Sequence, residues 1–540
     1  MGFQSILHID EASEWPSTAR EPDCFPDLNL DQIVQAIVAD YEEYDLMPFF
    51  RQIPGSLETV VYRQEVMREL EVPFIRDSIM AFSRELRKAR EFLGYGKTLH
   101  NPDQRRKWQL DAAMRYCSAV GGLETALSSS ALSSRTPVLS SAALSSQDAR
   151  PDSLSSVNSI PSGLSSNGLQ QFAAWLRLYR NSAGFTAFHA KTEALHQETA
   201  GIRYRLEMGR DRVVVGEDDS NTDYCEEINA TFAPLIDVPF NEQIHFFADL
   251  EMSMLENRIL EIVKDKHRET FAKLEKWCSE HPVFLDETLV RFDREIQFYL
   301  SFLSFLAPLR EHGFCFSYPE MSTERHLEIA EGYDLALAAK CMESGTDLVP
   351  NDCLLGGSER LMVLTGPNQG GKTTYARALG QILYLAALGF PVPARKARVF
   401  LCDAIFTHFS VEEDIGAQSG RLQEELLRVR IILERATERS LIILNELFST
   451  TTTRDAHAMG KRILDHFAAL DCFCLYVTHI HELAQSSPKA VSLVAAVHEG
   501  NSDVRTYRIL RKPADGQAYA HAIAAKYHLD YRSVKDRVGT

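Results

Sequence analysis

Apolar residues recur at three- and four-residue spacing over 30–41, 56–70 and 75–92, with charged residues filling the positions between, so the first part of the chain predicts amphipathic helices. The same spacing resumes at Leu169 and runs through Trp175 and Leu178 to about Ile202. Two longer helices are predicted over 251–280 and 286–309 as a lever-like antiparallel pair, with Leu255, Ile259, Ile262, Phe271 and Leu274 as an apolar stripe. Core packing accounts for that stripe without a binding surface. Alternation takes over in IRYRLEMGRDRVVV, 202–215, which predicts a β-hairpin turning at Met208 to Asp211. In the C-terminal part, Leu361 to Thr365, Leu441 to Leu444 and Cys472 to Val477 are continuous apolar runs of the kind a buried parallel strand requires.

Between the two helical stretches, 127–167 changes to Leu-Ser-Ser units with Ala, Pro and Gly. This composition lacks the aromatic and β-branched bulk that offsets backbone ordering entropy, and it reads as a disordered surface insert within one domain. The division that follows is a tail over 1–25, a helical region over 26–345 carrying the insert and the hairpin, and an α/β domain over 346–540.

Composition changes the picture only by exclusion. The chain has 540 residues, 45% hydrophobic and 24% charged, which fits a soluble globular protein of about three domains. No apolar run approaches the roughly 20 residues of a spanning helix, and the first residues carry Asp and Glu where a secretory signal is basic, so a cytoplasmic location and no membrane partner are expected. The 10 cysteines are scattered and read as reduced core thiols. His479-Ile480-His481-Glu482 lacks the helical spacing of a metalloprotease. A formal net charge of -18 argues against whole-surface attraction to nucleic acid and leaves a local basic groove open. Arg63, Arg68, Arg76, Arg84, Arg87 and Arg90 alternate with Glu65, Glu69, Glu71 and Glu85, which reads as exposed helix surface.

The chemistry concentrates in LMVLTGPNQGGKTT, Leu361 to Thr374. Gly366, four residues, then Gly371-Lys372-Thr373 fill the G-x-x-x-x-G-K-[ST] pattern, with a strand before it and a helical pattern from Tyr375 to Leu388 after it. Gly366, Gly370 and Gly371 let backbone N–H groups turn inward around phosphates. Lys372 places a point charge on the outer phosphates, Thr373 offers a hydroxyl to magnesium, and the helix N-terminus adds positive potential. A glycine-rich hairpin that happens to carry a lysine would lack those flanks. Pro367, Asn368, Gln369 and Thr374 complete the expected nucleotide contacts, and ATP with Mg²⁺ is the expected ligand pair.

The stretch TGPNQGGKTTYARALGQILYLAALGFPVPA resembles the nucleotide loop of the MutS proteins of DNA mismatch repair, in which Pro-Asn follows the first glycine. Phe406 to Phe409, Glu412 to Asp414, Leu441 to Glu446, Thr478-His479 and the tail GQAYAHAIAAKYHLDYRSVKDRV fall in the order of the MutS ATPase domain. The resemblance is close from Leu348 onward and loose over Pro26 to Pro319. It implies an α/β P-loop ATPase domain of ABC-like type preceded by a mainly α-helical core and lever region. It also implies a homodimer formed head to tail through the ATPase domains, and DNA as a partner. The hairpin is similar to the one before the DNA clamp of MutS, but about 35 residues separate Val215 from Glu251, too few for a sizeable clamp domain. No mismatch-reading domain is expected ahead of the helices.

The departures qualify what the resemblance implies. MutS strands end in Asp-Glu, the Asp supporting magnesium through water and the Glu polarising the attacking water; here the pair is Asn445-Glu446. Asn445 can still accept a hydrogen bond from a magnesium-bound water but brings no charge, so slow hydrolysis is expected, with Glu446 as base. A lone histidine is more often a satisfied loop residue, but His479 follows the strand pattern Cys472 to Val477 in the MutS order and matches the histidine that senses the outer phosphate. Phe448 to Asp455 occupies the place of the dimer-interface loop, and a helix cap of Thr452 on Asp455 explains the same residues equally well. In GAQSGRLQEE the register gives Gly420, Leu422 and Glu425 where MutS reaches the partner's nucleotide, and Leu348 or Val349 stands where an aromatic covers the base. The resulting expectation is a slow MutS-like ATPase acting on DNA; the alternative is a nucleotide-gated scaffold with little turnover.

Overall fold

A computed structural model describes residues 3–9, 20–128, 163–210, 212–217, 251–409, 421–449, 451–498 and 501–514. Most of the serine-rich insert, the Glu412 to Asp414 run, Gly420 and the tail from Gly516 lie outside the described residues.

In chain order the elements are α1 (Leu30–Val38), α2 (Met47–Arg51), α3 (Leu57–Leu70), α4 (Pro73–Thr98), α5 (Pro102–Leu127), α6 (Asn167–Arg180), α7 (Ala183–Ala200), β1 (Tyr204–Met208), β2 (Val213–Glu217), α8 (Met254–Lys266), α9 (Arg268–Glu280) and α10 (Glu287–Glu311). They continue with β3 (Glu320–Ser322), β4 (Leu327–Gly332), α11 (Leu335–Ser344), β5 (Asn351–Leu355), β6 (Leu361–Thr365), α12 (Lys372–Leu388), β7 (Lys396–Phe400), β8 (Ile405–Phe409) and α13 (Arg421–Arg435). The last are β9 (Leu441–Asn445), α14 (Thr453–Leu470), β10 (Phe473–Val477), β11 (Ala490–His498) and β12 (Asn501–Arg511). Among the described residues, no helix is long and apolar enough to cross a membrane.

The chain folds as two compact units, one of residues 1–3, 72–165 and 169–290, the other of 4–71, 166–168 and 291–540. Among the described residues the first unit is helical apart from the hairpin. α4 and α5 run antiparallel, with Phe92 edge-on to Trp108 at 4.7 Å and Arg115 donating to Glu85 at 2.8 Å. Leu110 and Ala113 of α5, Leu195 of α7, and Leu274 and Trp277 of α9 form a shared core. The predicted hairpin is present, Tyr204 pairing with Glu217 and Met208 with Val213.

Two helices predicted as continuous are broken. The stretch 251–280 is interrupted at His267, whose φ of -113° and ψ of 37° end α8 and begin α9. Leu255, assigned to the apolar stripe, is accordingly exposed. The stretch from Leu169 breaks at Ser182, whose hydroxyl accepts from Phe185 N at 3.2 Å and starts a new helix; a side-chain cap competes with continued helix here.

In the second unit a six-stranded sheet has the order β12-β11-β6-β10-β9-β8, parallel throughout except for β12 against β11. A smaller sheet has the order β3-β7-β4-β5. The strands β6, β9 and β10 are buried at every residue, and each fully buried Leu, Ile or Val contributes about 1.5–3 kcal/mol, which places these runs in the centre of a sheet covered on both faces. Leu361, Val363, Ile442, Leu444, Cys474 and Tyr476 pack with α13 and α14. From the opposite face Ile443 reaches Gly380 of α12, where an added Cβ would lie 3.1 Å from its Cδ1.

The two compact units differ from the tail, helical region and α/β domain expected from the sequence pattern. Residues assigned to the tail or to the helical region close over α12 instead: Arg377 Nε donates to Asp27 O at 3.0 Å, Gln381 Nε2 to Leu28 O at 2.8 Å, and the Tyr384 hydroxyl to Phe50 O at 2.7 Å. Cys24 and Phe25 are buried with them. Arg63 and Glu69, read as exposed helix surface, are also buried, Arg63 completely. Their side chains serve buried backbone groups, Arg63 Nε donating to Leu7 O at 3.0 Å and Glu69 Oε2 accepting from Ser166 N at 3.0 Å, which offsets part of the cost of burying charge.

Candidate functional site

Three central strands end side by side, and the residues that follow them converge. β6 ends at Thr365, the chain turns through Gly366 to Gly371, and α12 begins at Lys372. The turn needs its glycines where the backbone is left-handed, at Gly366 (φ 131°) and Gly371 (φ 87°), while Gln369 adopts φ 59° with a side chain present.

Lys372 is almost fully buried, and its ammonium donates to Gly366 O and Pro367 O, both at 3.1 Å, with Glu446 Oε1 at 3.8 Å. Burial lowers the Lys372 pKa, opposed by the Glu446 charge and reinforced by Arg505. β9 ends at Asn445, whose Oδ1 accepts from the Thr373 hydroxyl at 3.4 Å. The next residue, Glu446, has φ 54°, and its N–H donates to Val477 O at 2.9 Å, which ties the end of β9 to the end of β10. Beyond β10, Thr478 N donates to Leu364 O at 3.0 Å and His479 Nε2 lies 3.1 Å from Glu446 Oε1. The hydrogen bond to His479 holds the Glu446 carboxyl below the usual range against the opposing effect of partial burial, and Lys372 adds to the lowering. The carboxylate is thus kept ionised between two cationic or proton-bearing partners.

A cavity of about 600 Å³ opens over this turn. Asn368, Gln369, Gly370, Gly371, Lys372, Thr373, Thr374 and Glu446 line it, together with Leu348 and Val349. Gly366 and Pro367 stand behind it, holding the lysine through their carbonyls. Every residue singled out in this stretch is therefore gathered within one neighbourhood, with Asn445 and His479 joined to it through Thr373 and Glu446.

Tyr507 of β12 also lines the cavity, and the sequence reading missed it. Its ring stands over the loop, Cδ1 lying 3.6 Å from where a Cβ on Gly371 would be. The alternating pattern of β12 gave no sign of it, because Tyr507 reaches the cavity through a left-handed backbone (φ 56°) within the strand, held where Asn351 Nδ2 donates to Tyr507 O at 3.0 Å and Asn351 Oδ1 accepts from Ile509 N at 2.7 Å.

Two neighbouring segments make local contacts. Glu425 is buried within its own chain and accepts from Phe448 N at 3.1 Å, and Leu422 packs against the core below the sheet. Thr452 caps α14, its hydroxyl accepting from Asp455 N at 3.2 Å, which is the local reading of that polar loop.

The family that matches the chain is MutS domain V, over residues 362–536. The DNA mismatch repair protein MutS of Erythrobacter litoralis is 33% identical over 211 residues, 38% of this chain and 24% of that protein. MutS of Ruminiclostridium cellulolyticum is 33% identical over 229 residues, 40% of this chain and 26% of that protein. MutS of Anaeromyxobacter sp. strain Fw109-5 is 34% identical over 226 residues, 40% of this chain and 25% of that protein. The chain thus spans about a quarter of the length of the curated relatives it matches. The region of likeness takes in all of β6 but its first residue, the glycine turn, Asn445, Glu446 and His479, and over residues 362–536 the chain is similar to MutS domain V.

Proposed function

We propose that the second unit is a P-loop ATPase that binds ATP with magnesium and hydrolyses it slowly. The observation that carries the reading is the convergence of Lys372, Glu446 and His479 at the ends of three adjacent strands, beside a glycine turn that opens a helix.

The residues fit such a ligand. The turn from Gly366 to Gly371 offers the backbone N–H groups of a phosphate cradle, and α12 adds its positive N-terminal end. Lys372 exchanges the loop carbonyls for phosphate oxygens. The Tyr507 ring, with Leu348 and Val349, supplies an apolar face for a base. Thr373 and Asn445 are a hydroxyl and an amide oxygen close together, a neutral oxygen set that suits magnesium retaining its waters. Bound magnesium would supply charge that neutralises the phosphate oxygens as the bond breaks. Glu446 orients and deprotonates the attacking water, and His479 fixes the carboxylate and senses the outer phosphate.

The relatives are DNA mismatch repair proteins, and we extend that to a role on DNA for this chain. The hairpin offers Arg203, Arg205, Arg210 and Arg212, all exposed, as backbone contacts, and a homodimer through the ATPase domains would carry two such hairpins. A second reading, a nucleotide-gated scaffold with little turnover, is favoured by Asn445 alone.

Binding of a fluorescent ATP analogue and steady-state phosphate release decide between these. Wild type is expected to bind the analogue and turn over slowly, and Lys372→Ala to lose binding; equal binding by the variant would remove the lysine from the site. Binding without phosphate release would leave the scaffold. In a salt series with paired, mismatched and branched duplexes, weak binding with little mismatch preference is expected. Each phosphate neutralised contributes about -0.9 to the logarithmic salt slope, so four hairpin arginines limit it to about -3.6 per chain. No binding at low salt and no effect on turnover would end the DNA reading.

A further inference from the structure

Residues 4–8 form no helix or strand, yet Ile6 and Leu7 are wholly buried in the second unit. Two helices grip their backbone. From α3, the Tyr62 hydroxyl donates to Ser5 O at 2.7 Å and Arg63 Nε donates to Leu7 O at 3.0 Å. From α10, the Tyr299 hydroxyl donates to Ile6 O at 2.8 Å, and Glu295 Oε2 accepts from Ile6 N at 3.0 Å and from the Ser5 hydroxyl at 2.9 Å. The segment is bent, Leu7 N and His8 N both donating to the Ser5 hydroxyl oxygen at 2.9 and 3.2 Å, and it is held as a bound peptide is held: main-chain groups give the grip and the buried Ile6 and Leu7 side chains give the selectivity.

Such a hold is finely balanced. Two apolar side chains and these hydrogen bonds to the helices oppose the ordering of a short stretch of backbone that has no secondary structure of its own. The slot itself depends on its occupant, since burial pushes the Glu295 carboxyl up to about 7 and Arg63 down to about 10, and the segment supplies donors to the first and an acceptor to the second.

The slot lies against the far end of the helix that starts at Lys372. Gly389 closes α12 with φ 91°, and a Cβ there would stand 2.6 Å from Arg63 Cβ and 3.2 Å from Val60 O, so α3 and the helix end touch with no side chain between them. The Arg63 guanidinium lies 5.6 Å from the centre of the Phe298 ring, which packs on Phe390 at 4.6 Å. Nearly every residue of α12 is buried, so the helix is held as a rod whose two ends are the glycine turn and this contact.

We propose that residues 4–8 are a tethered peptide ligand, seated reversibly in the slot between α3 and α10, and that seating is coupled through Arg63 and Gly389 to nucleotide binding at the Lys372 end of α12. The inference rests on the nucleotide reading above. Unseating takes the Leu7 carbonyl away from a buried guanidinium and the Ser5 and Ile6 carbonyls away from Tyr62 and Tyr299; α3 then shifts to repack, and because Gly389 meets Arg63 Cβ and Val60 O with no side chain between, a shift of α3 is passed directly to the end of α12. Seating and nucleotide binding therefore favour each other, and linkage makes the factor the same in both directions.

The test is hydrogen exchange of the full chain, followed by mass spectrometry on the peptide containing residues 3–9, with and without saturating ATP and magnesium. Nucleotide affinity of Ile6→Asp is measured in parallel. Nucleotide is expected to slow exchange at Ile6, Leu7 and His8 by about tenfold, and Ile6→Asp to weaken nucleotide binding by a similar factor. Tyr299→Phe removes only the hydroxyl that reaches Ile6 O and serves if Ile6→Asp does not fold: faster exchange with weaker nucleotide binding supports the proposal, and faster exchange with unchanged affinity overturns it. Nucleotide binding to wild type with no change in the peptide also overturns it while leaving the site reading intact. A wild type that binds no nucleotide fails the site reading itself, and the coupling with it.

Discussion

Replacing Glu446 by Gln is expected to leave nucleotide binding near the wild-type level and to lower turnover by about 10²- to 10⁴-fold, the range for loss of a positioned general base and equal to about 3–5 kcal/mol of barrier. The geometry separates the two effects. Glu446 takes no part in the cradle of the glycine turn, so affinity rests on other groups, whereas its carboxylate is oriented by a partner, His479 at 3.1 Å. A glutamine keeps the size and one acceptor oxygen and loses the charge. Lys372 loses a counter-charge with it, which pushes its pKa further in the direction burial has already moved it. Phosphate release under saturating ATP, with affinity measured on the same preparation, checks this; undiminished release in the variant would take the base assignment away from Glu446.

Gly366→Ala should nearly abolish nucleotide binding, for a reason unrelated to any side-chain contact with the ligand. At φ 131° an L-residue is strained, at a cost of roughly 1–3 kcal/mol, and the added methyl would stand 2.8 Å from Ala495 Cβ and 3.0 Å from both Ala495 N and O. Backbone cannot yield as a flexible side chain does, so the loop must lift away from β11. The same movement carries off the carbonyl that holds Lys372 at 3.1 Å. Gly345→Ala is the matching control: φ is 65° there and nothing lies within 4 Å of the new Cβ, so it carries the strain without the collision. Its melting temperature should fall modestly with nucleotide affinity unchanged. Equal affinity losses in the two variants would mean that general destabilisation, and not the cradle, accounts for the effect.

The central strands and the glycine turn were legible in the sequence because their signals are local. A five-residue apolar run flanked by turn residues suits a buried strand beside others like it, and a G-x-x-x-x-G-K-[ST] turn between strand and helix leaves little freedom in where Lys372 points. The Thr452 cap was legible for the same reason. What was not legible depends on partners far along the chain. Arg63 sits among glutamates in a helix of ordinary surface composition, and the Leu7 carbonyl that compensates its burial lies 56 residues earlier. Asp27 and Leu28 join the second unit because Arg377 and Gln381 reach their carbonyls across 350 and 353 residues, a pairing that no periodicity encodes. The break at His267 falls in an unbroken helical pattern, where the backbone changes direction without glycine or proline to mark it.

Asn445 also bears on the order in which the site would be assembled. At the ends of β9 and β10 the Glu446 carboxylate is already shared between Lys372 and His479, and the neighbouring Asn445 contributes an amide where a second negative charge would otherwise stand. A bare divalent cation arriving first beside Thr373 meets little unshared negative charge to hold it. On the proposed reading the cation would be recruited by the phosphates it accompanies, so that each round of exchange would clear metal and nucleotide together and return the site to a protein that stores neither.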